Sequence, residues 1–149
     1  MTGLDPHVEE LAPWVSVGVR QVVPMAGLHE VFDTTYGRVA MAVGSAGGQI
    51  VGPAYAEYFG MPTDTVDLEI GFGVDRAIEV AGMTTTEQPA MRAIVATHVG
   101  PYDTLRQSYA ELMPWLENQP LTESMFELYD SEPGEDPATT VTRLVFPLT

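Results

Sequence analysis

The chain is 149 residues long, 45% hydrophobic and 18% charged, which fits one globular domain able to bury a core and excludes a disordered chain. Its 21 acids stand against six bases, all arginine, for a net charge of −15, so direct binding to nucleic acid or to an anionic membrane is disfavoured. Cysteine is absent, which excludes disulfides, thiol catalysis and Cys-based zinc sites.

Residues 1–13 are acidic and polar, and the sequence predicts a loose N-terminal arm or a short helix there, ending at Pro13. They carry neither the basic start nor the apolar run of a signal peptide. No later stretch approaches the roughly 18 apolar residues of a membrane helix, so a cytoplasmic protein is expected. Residues 14–149 read as a single domain. From Trp14 to Met25, Val15, Val17 and Val19 alternate with small or polar neighbours, which predicts a strand closed by Pro24. Gly27–Val43 repeats Leu28, Val31, Phe32, Thr35, Val39 and Ala42 at helical spacing, and Gly44, Gly47 and Gly48 stop the helix. Two strands are expected next, Val51–Phe59 and Asp67–Val74, with a Met61–Asp64 turn between them.

Arg92–Val99 is the next predicted strand, turned by Gly100 and Pro101. Thr104 and Gln107 have capping-box spacing ahead of a helix whose face carries Leu105, Tyr109, Leu112 and Leu116, with Pro114 placed to kink it or restart a turn. Met125–Asp130 is a strand, Ser131–Ala138 a turn rich in Pro, Gly and acids, and Val141–Leu148 a closing strand. The order is therefore strand–helix–strand–strand, twice, over modules at about 14–80 and 90–149. Pro24 corresponds to Pro101, an offset of 77 (101 − 24), and Phe72 to Phe146, an offset of 74 (146 − 72). The repeat predicts an α+β fold. Two modules in pseudo-two-fold arrangement form a curved antiparallel sheet with two helices and a central cleft.

His98-Val99-Gly100-Pro101-Tyr102, Tyr109, Trp115-Leu116, Phe126-Glu127-Leu128-Tyr129 and Phe146-Pro147-Leu148 resemble the GyrI-like small-molecule-binding family. That family includes the effector-binding domains of AraC-type and MerR-type multidrug regulators, and the 149 residues, which hold no helix-turn-helix, are similar to its free-standing form. The resemblance runs from about residue 15 to 148 and is most specific from His98 onward. It implies that the H-x-GPY turn opens the second helix and that Glu127 lies in a central aromatic pocket.

Period two puts Met125, Glu127 and Tyr129 on one strand face. A carboxylate there is costly to bury unless it meets a cation, a proton or a hydrogen bond. Strand geometry alone is equally met by a solvated glutamate on an edge strand; the resemblance makes Glu127 a pocket residue. Tyr55, Tyr58, Tyr102, Tyr109 and Tyr129 offer flat faces with polar tips for planar or cationic ligands. Tyr55 and Tyr129 lead because they lie on matching strands, whereas Tyr109 reads first as core. Trp115 reads as a structural anchor or a pocket wall. Three scattered histidines give no metal-ligand spacing, and no nucleotide or cofactor fingerprint is present, so no metal and no cofactor are expected.

Three functions compete. The first is binding of small amphipathic, cationic aromatic molecules around Glu127, for sequestration or sensing. The second, implied by the resemblance, is hydrolysis of reactive cyclopropane-type genotoxins with Glu127 as the catalytic group. The third is an acidic protein–protein role, as a gyrase-inhibitor-like protein or the ligand-sensing partner of a regulator.

Overall fold

The computed structural model describes residues 4–130 and 136–149. In chain order the elements are β1 (His7–Leu11), β2 (Trp14–Pro24), α1 (Leu28–Ser45), β3 (Ile50–Phe59), β4 (Thr65–Val74), β5 (Thr84–Gln88), β6 (Met91–Val99), α2 (Leu105–Leu116), β7 (Ser124–Tyr129) and β8 (Val141–Pro147). The strands form one curved antiparallel half-barrel in the order β1-β6-β8-β7-β3-β4-β2-β5.

That order is a palindrome of the two modules. β2, β3 and β4 of the first match β6, β7 and β8 of the second, and the halves meet where β3 pairs with β7. The outermost strands are exchanged: β1 adds to the edge of the second module and β5 to the edge of the first. The expected arm or short helix is thus, over His7–Leu11, a strand, because β6 offers an unpaired edge that the extended chain satisfies. β5 was not foreseen either; its TTTEQ sequence has β-branched residues but no apolar alternation.

Both helices pack on one face of the sheet. Thr35, Val39 and Val43 are the buried stripe of α1 and cover Val17, Val74 and Val80, while Leu28, Val31, Phe32 and Tyr36 cover Val23, Val66, Leu68 and Ile70. Ser108, Leu112 and Leu116 are the buried stripe of α2, and its leucines pack with Ile94, Ala96, Leu144 and Phe146. The two clusters under α1 are separate from the one under α2, and the β3–β7 seam lies between the helices. α2 continues through Pro114 and ends two residues later. The expected capping box does not form. Thr104 ends a 3-10 turn, Tyr102–Thr104, and its hydroxyl turns back to donate to the Pro101 carbonyl at 2.8 Å. His98 is buried in the same turn, donating from Nε2 to the Pro101 carbonyl (3.0 Å) and facing the Ser108 hydroxyl with Nδ1 (2.7 Å), which ties β6 to α2. Of the acidic turn, residues 131–135 lie outside the described part, and Pro137–Thr139 is a 3-10 turn capped by Asp136.

The opposite face, which neither helix covers, has its own cluster of Tyr55, Ala93, Val95, Phe126 and Val145, with Trp14 edge-on to Tyr55 and Phe126. Tyr55 crosses a glycine pair, Gly18 opposite Gly71, and donates to Glu69 Oε2 at 2.6 Å. The close approach requires glycine: a Cβ on Gly71 would stand 1.9 Å from the Val17 carbonyl oxygen, and one on Gly18 2.5 Å from the Tyr55 hydroxyl. Glu57 stands across from Glu69 on this face. Burial pushes the Glu57 carboxyl up to about 7, and the neighbouring Glu69 adds to the shift while Arg20 opposes it.

Gly71→Ala should lower unfolding stability by about 3 kcal/mol, since backbone and not a flexible side chain must give way. Gly37→Ala, on an open face of α1, should raise it by about 0.5–1 kcal/mol; urea titrations measure both. Glu57 binds its proton more tightly folded than unfolded, so its contribution to stability falls as pH rises from about 4.5 to 7. Glu57→Gln should therefore gain over wild type above pH 7 and lose that advantage below about pH 4.5, read as the difference between thermal melts across pH.

Candidate functional site

β3 and β7 carry the seam between the helices. On the helix-covered face, Ala54, Ala56 and Tyr58 of β3 stand opposite Tyr129, Glu127 and Met125 of β7. Ala56 pairs on its other side with Ile70, and Glu127 with Leu144; Ile70 and Leu144 are 74 apart (144 − 70), the same offset as Phe72 and Phe146. Ala56 and Glu127 are therefore equivalent in the repeat and also paired with each other, so the pseudo-two-fold axis passes between them. A carboxylate on one side of the axis faces a methyl group on the other.

Glu127 is 6% exposed. Its carboxylate accepts three phenolic hydroxyls: Tyr129 on Oε1 at 2.6 Å, Tyr58 on Oε1 at 3.4 Å, and Tyr109 on Oε2 in a short bond. Tyr109 comes from α2, Tyr58 from β3 and Tyr129 from β7, so the bonds tie three elements together. No basic side chain forms an ion pair with Glu127 among the described residues. Burial, and after it the negative charge of Glu127, push the Tyr58, Tyr109 and Tyr129 hydroxyls up, which keeps them protonated donors near neutral pH.

Aromatic rings wall the site. Tyr129 meets Tyr102, Phe32 and Tyr36 edge to face, at centroid distances of 5.8, 6.2 and 6.4 Å. Tyr102, 53% exposed, forms the outer rim. Tyr36 also contacts Phe72 and donates to the Tyr55 carbonyl at 2.9 Å. Of the residues singled out from sequence, Glu127, Tyr58, Tyr109, Tyr129 and Tyr102 are brought together. Tyr55 is not. It pairs with Leu128, so it points to the opposite face and is engaged by Glu69. Trp115 is 40% exposed on α2, outside the Leu112–Leu116 stripe, and forms no ring contact with the Glu127 aromatics. Phe32 and Tyr36 were missed as site residues; their i, i+4 spacing on α1 was the available signal.

The described residues bring no three His, Asp or Glu side chains together to hold a metal, and none of their helices is long and apolar enough to cross a membrane. Comparison with curated proteins gives no match. Among solved structures, the C-terminal domain of EcmrR superimposes with a TM-score of 0.82 at 23% identity, over 97% of this chain and 96% of that one. SAV2435 bound to tetraphenylphosphonium gives 0.68 at 13% identity, covering 98% and 94% of the two chains. A hydrolase encoded by lin2189 of Listeria innocua gives 0.64 at 11% identity, covering 99% and 93%. These likenesses show a shared fold. The model of the GyrI-like small molecule binding domain matches residues 4–149, and the chain belongs to that family.

Proposed function

We propose that the chain binds hydrophobic aromatic cations at Glu127, between the two helices. The observation that carries this reading is the buried carboxylate with no cationic partner among the described residues, ringed by tyrosine faces. Burying a carboxylate is costly, and neutral hydroxyls offset only part of that cost. A cation at the seam supplies the missing charge, and the ring faces attract it through their quadrupoles. SAV2435, whose fold the chain shares, was solved with such a cation, tetraphenylphosphonium, which supports the choice of probe.

Calorimetric titration with tetraphenylphosphonium tests the reading. Glu127→Gln should weaken binding at least tenfold, while a neutral aromatic of similar size loses little, because a nearby charge at intermediate dielectric is worth several kcal/mol. Equal losses for both ligands would show that the carboxylate does not recognise charge.

Hydrolysis is a second reading. Its support is the Tyr129 hydroxyl held 2.6 Å from the carboxylate, a pair able to position water against an electrophile, together with the hydrolase name of the Listeria neighbour. Incubation with excess cyclopropane-containing electrophile should then give product beyond one equivalent, lost in Glu127→Gln. Protection that stops at one equivalent leaves binding alone.

A further inference from the structure

A groove of about 870 Å³ lies between the C-terminal turn of α2 and the β3–β4 turn, with Tyr58 and Met125 on its wall. It adjoins the Glu127 site at these two residues. Tyr58 lines the groove and donates to Glu127, and Met125 lines the groove with its sulfur 3.7 Å from the hydroxyl of Tyr109, another Glu127 donor. Met125 precedes Glu127 by two positions on the same strand face, so their backbones are about 7 Å apart along β7.

The chemistry of the groove differs from that of the cleft. Leu116 and Phe146 are its buried apolar floor, and Met61 and Met113, 83% and 52% exposed, stand at its walls. Methionines re-pack readily around flexible apolar chains. At the rim, Glu117 and Glu123 are exposed and have no ion-pair partner among the described residues, whereas Arg20 is held by Asp67 through two bonds, at 3.1 and 3.0 Å. The groove thus offers apolar contact and net negative charge, which disfavours fatty-acid and alkyl-sulfate head groups.

We infer that the groove holds the alkyl tail of a cationic amphiphile whose head group sits at Glu127, an inference that rests on the Glu127 reading above. Tyr58 is the gate between the two. Its bond to Glu127 is the longest of the three at 3.4 Å, so it is the hydroxyl released at least cost when a tail passes.

The test is a series of n-alkyltrimethylammonium salts, from butyl to dodecyl below micelle-forming concentrations, titrated calorimetrically beside tetraphenylphosphonium. Affinity should rise about two- to fourfold per methylene until the groove is filled. The double variant Met61→Gln, Met113→Gln alters two exposed side chains; melts compare its fold with wild type, and it should flatten the series to less than twofold per methylene. A flat series in the wild type, with tetraphenylphosphonium still bound in a Glu127-dependent way, would overturn the groove and leave the cation site standing. A steep series unaffected by the double variant would place the tail elsewhere and overturn it too. Failure of tetraphenylphosphonium itself to bind would remove both.

Discussion

The register of the β3–β7 ladder is the constraint on which the cleft depends. It is the joint between two halves of similar design, and it sets Ala56 against Glu127 at their pseudo-two-fold axis. A one-residue slip would turn β7 over, sending Phe126 and Leu128 between the helices and Glu127 to the other face. A perfectly repeated sequence would have placed two carboxylates against each other at the axis, where their repulsion would oppose the joint. The alanine removes that conflict and leaves a single carboxylate at the axis.

The seam differs from the cores on either side. Under α1 and under α2 the sheet is closed by apolar clusters, and between them stands a glutamate held by phenolic hydroxyls. Such an arrangement is not the most stable filling for the space. Three hydrogen bonds from three different elements hold the carboxylate in one place, and the rings that carry them also present apolar and π surface. A fixed acceptor, fixed walls and no ion-pair partner among the described residues are the features on which the proposed cation site rests.

The same sheet carries a second buried glutamate–tyrosine pair, and the comparison is instructive. Glu69 accepts from Tyr55 at 2.6 Å on the uncovered face. Burial pushes its carboxyl up, while the Tyr55 bond and the nearby Arg20 hold it down. Glu69 therefore has a cation of the protein's own in its field, and the glycine pair beneath Tyr55 leaves no space around it. Glu127 has tyrosines only. Two similar pairs thus differ in what their neighbours supply.

The sequence by itself determined the repeated element order, six of the eight described strands and both helices, because alternation, helical spacing and Gly-Pro punctuation are local properties. It also put Glu127, Met125 and Tyr129 on one face, which strand parity guarantees. It did not determine β1 and β5, whose strand character comes from open edges contributed by the other module. It favoured Tyr55 over Tyr58, and the structure reverses that order. They lie three apart and so face opposite ways, but only the pairing of Ala56 with Glu127 says which one meets the cleft. Trp115, Phe32 and Tyr36 show the same limit: a helix has a face in its sequence, yet what that face meets depends on elements far away in the chain. Local periodicity is written in consecutive residues, and register and packing are not, so the carboxylate and most of its tyrosines were legible as candidates, and which of them meet it was decided only in the folded chain.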